Sequence, residues 1–290
     1  MNRTRVLATI AAPAAGTAGI AACGSDGSSS TSSGSGTAAA ANCAKDQLTL
    51  VTKGTLTVGT DKPAYPPWFV DDTPSNGKGY ESAVAYAIAG KMGFAKNEVK
   101  WVVVPFNTAI APSAKNFDFD VNQVSISDKR RNAVDFSSGY YDVRQAVNSY
   151  KGSPIDGTTT IADLKGAKLG AQVGTTSYTA ITDQIQPGED PAVYDTNDLA
   201  VQALKNKQID GIVVDVPTAF YMTAAQLDDG VIVGQLPAAD GQKEQFGAVL
   251  DKGSELTACV SQAVDALRED GTLKDLEGEW LSSQGAPELK

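Results

Sequence analysis

Residues 122–130 read Asn-Gln-Val-Ser-Ile-Ser-Asp-Lys-Arg, and this stretch carries most of the information on the fold. The run up to Ser125 is typical of a strand end, and Ser127 can cap a helix whose first turn holds Arg130. A helical side chain points back toward the N-terminus, so the guanidinium returns toward Ser125. Its planar fork of donors suits a carboxylate, and lysine would replace it poorly. Taken alone, however, Arg130 is more typical of the protein surface.

Strand and helix patterns alternate on both sides of this stretch. Apolar runs typical of strands are followed by helix starts, and the C-terminal part carries apolar residues at helical spacing. The predicted strands are 56–58, 100–104, 118–125, 168–173 and 211–216, and the predicted helices are 82–92, 256–267 and 273–280. This alternation predicts an α/β protein with mainly parallel sheets and flanking helices.

Two polar strand ends lie in the second half of the chain. Gln172-Val-Gly-Thr-Thr-Ser177 combines a strand end, a glycine turn and a helix start, where backbone N–H groups and the hydroxyls of Thr175 and Thr176 can bind an anion. Asp215 ends a buried strand and offers a carboxylate. Capping of the helix that begins near Pro217 is the competing interpretation of Asp215.

An aromatic loop follows the first strand. Asp61 ends that strand, and Tyr65-Pro-Pro-Trp68 is a proline-stiffened loop that presents aromatic side chains, although such a loop is also typical of a structural corner. Gly79-Tyr80-Glu81 then opens a helix. Because negative charge is favourable at a helix N-terminus, capping is a better interpretation of Glu81 than ligand binding.

These segments, in this order, resemble the family 3 extracellular solute-binding proteins, the receptors of polar amino-acid ABC importers. The family's Ser-Ile-Thr-x-x-Arg, Asp-Phe-Ser and Tyr-Tyr series is similar to residues 125–130, 135–137 and 140–141, and the resemblance covers nearly the whole mature chain. Gly-Tyr-Glu replaces the usual Gly-Phe-Asp, and one extra residue separates Asp61 from Tyr65.

The resemblance implies a two-lobed, periplasmic-binding-protein-like fold of type II, with two mixed, mainly parallel sheets joined by a two-segment hinge. Residues 43–147 and 241–290 are expected to form the first lobe and residues 148–240 the second. Closure of the lobes captures an amino acid, expected to be polar, which the protein delivers to the permease subunits of an ABC importer.

The resemblance also implies the ligand contacts. Arg130 and the Gly-Thr-Thr turn bind the α-carboxylate, Asp215 binds the α-ammonium, and the aromatic loop lines the cleft. The expected ligand-binding residues are Asp61, Tyr65, Trp68, Tyr80, Gln123, Ser125, Arg130, Thr175, Thr176 and Asp215. We expect no catalytic residue, no metal and no cofactor in such a binding protein.

The composition argues against several other classes of protein. The chain has 24 basic and 34 acidic residues and a formal net charge of −10, which is unfavourable for binding nucleic acid. It contains no histidine, the most common catalytic base and transition-metal ligand. Two alternatives stay open. One is an enzyme of the same fold similar to cyclohexadienyl dehydratases, with Asp61 or Glu81 as the acid, and the other is a ligand-sensing lipoprotein.

The N-terminus predicts export and lipid attachment. Arg3 and Arg5 precede an uncharged, modestly apolar stretch, and Ile-Ala-Ala-Cys23 is similar to a bacterial lipobox. We therefore expect a signal peptide at 1–22, a lipid on Cys23 and a flexible Gly/Ser/Thr/Ala tether over 23–42. An ordinary signal peptide or a short membrane anchor is the alternative. The expected product is an extracytoplasmic monomer, held at the cell membrane by its lipid.

Cys43 and Cys259 remain once Cys23 carries a lipid. An even pair of cysteines in an oxidising compartment predicts a disulfide that joins the first folded residues to a C-terminal helix. Two free thiols are the alternative interpretation.

Overall fold

Two five-stranded sheets form the framework of the protein, for which a computed structural model describes residues 42–238, 243–281 and 285–290. The first sheet consists, in spatial order, of β2 (Val99–Val103), β1 (Leu56–Thr60), β3 (Phe119–Asp120), β10 (Glu244–Leu250) and β4 (Asp135–Val143). The second consists of β7 (Ala192–Tyr194), β6 (Leu169–Gln172), β8 (Gly211–Asp215), β5 (Gln145–Tyr150) and β9 (Gly230–Gln235).

Each sheet has four strands that run in one direction and a fifth that is antiparallel to them. β1 pairs in parallel with β2 and β3, and the antiparallel β10 lies between β3 and β4. β6 pairs in parallel with β7 and β8, and the antiparallel β5 lies between β8 and β9. The two mixed, mainly parallel sheets predicted from the sequence are confirmed.

Helices flank both sheets. They are α1 (Tyr80–Lys91), α2 (Phe106–Ala109), α3 (Asp128–Arg131), α4 (Thr176–Ala180), α5 (Asn197–Lys205), α6 (Val216–Tyr221), α7 (Leu256–Glu269) and α8 (Thr272–Trp280). α4 continues into a π-helical turn at Ile181–Ile185, and α6 into another at Met222–Gln226. Short 3₁₀ turns lie at Lys45–Gln47, Pro74–Asn76, Lys96–Glu98 and Ala162–Leu164. In the part of the chain that the structure describes, none of the helices has both the length and the apolar character needed to cross a bilayer.

The first lobe is built on the first sheet, whose core lies against α1, α7 and α8. Leu56 and Val58 of β1 are fully buried in one cluster with Ile88 of α1 and with Val260 and Val264 of α7. The α7 residues recur on one face at helical spacing, which is why this helix packs on the sheet.

The second lobe is built on the second sheet, and apolar clusters cover both of its faces. Val147 and Val213 belong to one cluster, whereas their neighbours Ala146 and Ile212 belong to the other, together with Leu204 of α5. Successive residues of a strand face opposite sides of a sheet, so these neighbouring apolar residues of β5 and β8 place apolar side chains on both of its faces.

The predicted disulfide between Cys43 and Cys259 is present, with the two Cα atoms 5.4 Å apart. Cys259 is buried in α7, and Cys43 packs against the same apolar cluster. The bond therefore joins the start of the described chain to a helix that is 216 residues away in sequence.

The strand predicted at 118–125 is much shorter in the structure, where β3 has two residues. Beyond β3 the chain leaves the sheet, and Gln123 adopts a φ of 49°, in the left-handed region that L-residues seldom occupy. Ser125 meets the sheet again only through an isolated bridge to Phe246. The residues between form a loop at the boundary of the two lobes, which the apolar pattern of the sequence does not reveal.

The chain passes between the lobes at Arg144, ahead of the boundary expected after Val147, and again between β9 and β10. Residues 285–290 differ from the expectation, since they lie on the second lobe. Leu289 is buried in that lobe's core, and its N–H donates to the Gln235 carbonyl over 2.9 Å. The physical reason is that β9 is an edge strand, and the C-terminal residues form hydrogen bonds with the backbone groups along its free edge.

Candidate functional site

A cavity of about 360 Å³ is lined by residues of both lobes. The first lobe contributes the loops that follow β1, β2 and β3, and the second contributes those that follow β6, β7 and β8. Eight predicted ligand-binding residues line it: Asp61, Tyr65, Gln123, Ser125, Arg130, Thr175, Thr176 and Asp215. The carboxyl ends of the parallel strands thus meet at one cleft, as is general for open α/β sheets.

Arg130 lies at the boundary between the lobes. Ser127 caps α3 by accepting a hydrogen bond from the Arg130 backbone N–H, which directs the side chain back toward β3. Its Nη1 donates to the Ser125 carbonyl over 2.6 Å, and its Nη2 donates to the Gly174 carbonyl of the second lobe over 2.8 Å. The guanidinium also lies over the Phe106 ring, 5.5 Å from its centroid. Arg130 is therefore a buried cation that contacts both lobes.

The charge of Arg130 has no ionic partner within the described ranges, where no carboxylate approaches its nitrogens to 4.0 Å. The side chain is only 8% exposed, and this desolvation lowers its pKa to about 10. It remains a cation at neutral pH, and burying a charge without a counter-charge is costly. A guanidinium has more N–H donors than its two backbone bonds use. The site can therefore accept an anionic group.

The glycine turn lies opposite Arg130 on the second lobe. Gly174 has a φ of 75°, which turns its carbonyl toward the guanidinium. Thr175 caps α4 by accepting from the Tyr178 N–H. The Thr176 Oγ1 lies 3.1 Å from the Ser125 Oγ of the first lobe. Hydroxyl groups from both lobes thus surround the same end of the cavity.

Asp215 supplies an acid from the second lobe. It ends β8 and caps α6, and its two carboxylate oxygens accept from the Thr218 N–H over 3.0 Å and from the Thr218 Oγ1 over 2.9 Å. The capping interpretation is thus correct, but the side chain also lines the cavity. Desolvation raises its pKa to about 6, against the opposing effect of the Thr218 hydrogen bonds. Asp215 is an acceptor for a cationic group at neutral pH.

Asp61 and Tyr65 line the cavity from the aromatic loop. The Asp61 carboxylate is fixed by the N–H of Lys62 over 2.7 Å and by the N–H of Phe106 over 3.0 Å. The Tyr65 hydroxyl donates to Asp198 of the second lobe, and burial, followed by this hydrogen bond, raises the pKa of the hydroxyl. The hydrogen bond from Tyr65 to Asp198 is thus one of the contacts that join the lobes.

Trp68 and Tyr80 correct the expectation, because both lie behind the cavity wall. Trp68 is 1% exposed and packs edge-on against Tyr141 and Phe246. Tyr80 is fully buried, and its hydroxyl donates to the Tyr140 carbonyl over 2.7 Å. The loop turns the Trp68 ring inward, into the aromatic core of the first lobe, and so neither ring is available to line the cleft.

Glu81 is also placed differently from the expectation of a capping residue. It is fully buried and accepts hydrogen bonds from the Gln123 N–H over 2.7 Å, from the Gln123 side-chain amide and from the Tyr140 hydroxyl. Burial raises its pKa to about 7, although these hydrogen bonds oppose the shift. Glu81 therefore holds Gln123, a cavity residue, in its left-handed backbone conformation.

Several cavity residues were not identified from the sequence. They are Phe106, Asn107, Asn122, Gln145, Gln172, Ser177, Asp195, Asn197 and Asp198, among others. Asp195, Asn197 and Asp198 follow β7, so the rule that polar residues at the ends of parallel strands meet at one edge could have found them. Gln145 has no such signal, since its side chain enters from the strand that begins the second lobe and accepts from the Ser177 hydroxyl over 2.7 Å.

The expected lipid site falls outside the described residues. Cys23 and the signal peptide at 1–22 belong to the undescribed N-terminal part, as does the tether except for its last residue. The sequence prediction for them therefore stays a prediction.

Comparison with known proteins agrees with this geometry. A family model described as "Bacterial extracellular solute-binding proteins, family 3" matches residues 56–283. The L-cystine-binding protein TcyJ of Escherichia coli K12 is 30% identical over 235 residues, which cover 80% of this chain and 84% of that protein. The L-arginine-binding protein of Pseudomonas aeruginosa is 28% identical over 239 residues, with 78% and 90% covered. The structure of an ancestral arginine-binding protein bound to glutamine is similar with a TM-score of 0.66 and 31% identity, and covers 80% of this chain and 100% of its own.

Proposed function

Since the chain belongs to the family 3 bacterial extracellular solute-binding proteins, we propose that it captures one free amino acid between its lobes and delivers it to the permease of an ABC importer. The observation that carries this proposal is that a buried cation, Arg130, and an acid on the opposite lobe, Asp215, line one cavity. An α-amino acid carries the matching pair of charges. The cavity volume of about 360 Å³ is also in the range of small-molecule sites.

The ligand carboxylate would be bound by Arg130 with the hydroxyls of Ser125, Thr175 and Thr176, and the ammonium by Asp215. A carboxylate suits the guanidinium because charge-assisted hydrogen bonds to a planar fork are strong and directional. The two charges of the ligand are satisfied together only when the lobes meet, so ligand binding favours the closed arrangement.

The rest of the cavity favours a ligand whose side chain is polar and positively charged. Once Arg130 and Asp215 are paired with the ligand's backbone groups, three carboxylates remain in the lining, Asp61, Asp195 and Asp198, against one ammonium, Lys62. The excess of two negative charges attracts a cationic side chain. Relatives named for arginine are consistent with this preference, whereas another relative is named for cystine, whose side chain carries both an ammonium and a carboxylate.

A thermal-shift screen tests the proposal. The purified domain that starts at Asn42 is heated with each of the twenty amino acids and with ornithine and cystine. A ligand at one hundred times its Kd adds about 2.7 kcal/mol of stability, which corresponds to roughly 5–10 °C in Tm. We expect the largest shift with arginine, lysine or ornithine. No shift with any compound would contradict the proposed function.

We propose binding without turnover, and a separate assay distinguishes this from the dehydratase alternative. Incubation with prephenate or arogenate is expected to give no aromatic product. Formation of phenylpyruvate from prephenate, or of phenylalanine from arogenate, at a rate that depends on Asp61 or Glu81 would establish an enzyme instead.

We also propose that a lipid on Cys23 holds a monomeric protein at the outer face of the cell membrane, which places it beside the importer. Cells that produce the full chain should retain it in the membrane fraction, and C23S should move it to the medium or periplasm. Equal membrane retention of C23S would contradict lipid attachment at Cys23.

A further inference from the structure

A chain of hydrogen bonds runs from the core of the first lobe to the acid of the second. Trp68 Nε1 donates to Thr218 Oγ1 over 3.0 Å, and Thr218 Oγ1 donates to Asp215 Oδ2 over 2.9 Å. The direction of this chain is fixed by the groups themselves. An indole N–H can only donate and a hydroxyl has one proton, so Thr218 accepts from Trp68 and gives its proton to Asp215.

We propose that Trp68 and Thr218 are positioning residues, through which the first lobe sets the orientation of the Asp215 carboxylate for the ligand ammonium. This inference rests on the proposed function, because it assigns Asp215 to the ammonium. Asp215 belongs to the second lobe, yet one of its two oxygens is oriented by a hydroxyl that a first-lobe side chain holds. The acid is fully oriented only while the lobes are in contact.

The donor at the start of this chain is rigid. Trp68 is 1% exposed, and its ring is held edge-on by Tyr80, Tyr141 and Phe246, with centroid distances between 5.5 and 6.0 Å. The indole cannot rotate away without disturbing that packing. The terminal torsion of an aspartate, by contrast, has a broad minimum and is set by the groups that bond it. The rigid indole therefore fixes the position of the Thr218 hydroxyl, and this hydroxyl sets the orientation of the Asp215 carboxylate.

Among the described residues, the other hydrogen bonds between the lobes do not reach the acid. The Tyr65 hydroxyl bonds Asp198, and Arg130 Nη2 bonds the Gly174 carbonyl. The Arg130 contact joins the lobes where the ligand carboxylate is proposed to bind, and the Tyr65 contact joins them where the ligand side chain is proposed to lie. Loss of either would alter closure, whereas loss of the Trp68 bond alters closure and the orientation of Asp215 together.

The binding test compares W68F, which keeps an aromatic ring but lacks the N–H, with W101F. Trp101 Nε1 donates over 3.2 Å to the Tyr86 hydroxyl within the first lobe, so W101F loses a similar bond that does not cross the cleft. With L-arginine as the probe, W68F should bind about tenfold more weakly, the effect of about one hydrogen bond, while W101F should bind as the wild type does. Equal affinity of W68F and wild type would overturn the proposal.

Thr218 supplies a second set of variants. T218V should weaken binding as W68F does, T218S should restore it because the hydroxyl is kept, and W68F with T218V should be no weaker than T218V alone. Additive losses in the double variant would show two independent effects. They would overturn the proposed relay, that is, the hydrogen-bonded chain from Trp68 through Thr218 to Asp215.

A probe without the ammonium separates positioning from general damage. 5-Guanidinopentanoate has the carboxylate and side chain of arginine but no α-ammonium, so W68F should reduce its affinity by a smaller factor than it reduces that of arginine, through the loss of closure alone. An equal loss for both probes would mean that Trp68 only supports the structure, which contradicts the proposal.

The relay is also measurable without any ligand. The indole N–H resonance of Trp68 in a ¹H–¹⁵N spectrum should move in T218V and in D215N, while that of Trp101 stays in place. An unchanged Trp68 resonance in both variants would overturn the relay. Failure of the wild type to bind any amino acid would instead contradict the proposed function, and this spectrum would still decide the relay.

Discussion

Arg130 of the first lobe donates a hydrogen bond from Nη2 to the backbone carbonyl of Gly174 in the second lobe, over 2.8 Å. The same guanidinium bonds the Ser125 carbonyl of its own lobe through Nη1. A single buried cation therefore belongs to both walls of the cleft. It can bind a ligand anion and hold the lobes together at the same time.

Replacement of Arg130 should abolish amino-acid binding. R130A removes the only buried cation in the lining, and truncation of one partner of a buried charge pair typically costs about 2–5 kcal/mol, or at least about 30-fold in Kd. R130K should also bind poorly, because an ammonium cannot form the two parallel hydrogen bonds that a planar guanidinium makes to a carboxylate. The neighbouring R131A is the control, since Arg131 is exposed and lies over the Phe136 ring away from the lining. Calorimetric titration that gave R130A and R131A the same affinity would refute the role of Arg130.

Ligand affinity should fall when the solution becomes acidic. Burial raises the pKa of Asp215 to about 6, and a ligand ammonium stabilises the ionised form, so binding selects the deprotonated protein. Below pH 6 the carboxyl becomes neutral, and Kd should rise by about tenfold per pH unit. D215N should bind more weakly than wild type at pH 8 and should lack this pH dependence. A wild-type Kd that stays constant from pH 8 to pH 5 would contradict the assignment of Asp215 to the ammonium.

The sequence predicted the parts of the site that depend on local rules. The cap, the short helix and the returning arginine all lie within residues 122–130, and the structure places Arg130 Nη1 2.6 Å from the Ser125 carbonyl, as expected. Asp61 and Asp215 were each placed at a strand end from the sequence, and the resemblance to the family implied that both lie in one cleft, which both line in the structure. Such features need only the preferences of a few neighbouring residues and the parallel order of strands.

Contacts between distant segments were not predictable in the same way. Trp68 has the sequence context of an exposed loop, yet its ring packs against Phe246, and only the complete fold brings these residues together. Glu81 satisfied a local rule for helix starts, but its carboxylate is buried by the loop that contains Gln123. The edge of β9 that receives the C-terminal residues is another feature set by tertiary structure.

The buried acid Asp120 should make the protein less stable at high pH. It is fully buried, neither oxygen has a hydrogen-bond partner among the described residues, and burial raises its pKa well above the ordinary value. In the unfolded chain it ionises near pH 4, so from there up to its folded pKa every pH unit stabilises the unfolded state by up to about 1.4 kcal/mol.

D120N removes this ionisation and tests the effect. The free energy of unfolding of D120N relative to wild type, measured in urea, should increase from pH 4 to pH 8. A difference that is the same at pH 4, 6 and 8 would show that Asp120 titrates alike in the folded and unfolded states.

Loss of the disulfide should destabilise the protein without changing its ligand affinity. The bond between Cys43 and Cys259 closes a separation of 216 residues, and removal of such a bond typically costs about 2–5 kcal/mol. Neither cysteine lines the cavity. The C43S and C259S double variant should therefore unfold at lower urea concentration but bind the same amino acid with the same Kd. Unchanged urea unfolding, with or without reductant, would contradict a stabilising role.

The most direct test is the crystal structure of the complex with the amino acid that gives the largest thermal shift. We predict that the ligand lies in the cleft, with its α-carboxylate on the Arg130 guanidinium and its α-ammonium within 3.2 Å of an Asp215 oxygen, a normal hydrogen-bond distance. A ligand bound outside the cleft, or inside it with neither charge paired to these residues, would contradict the account.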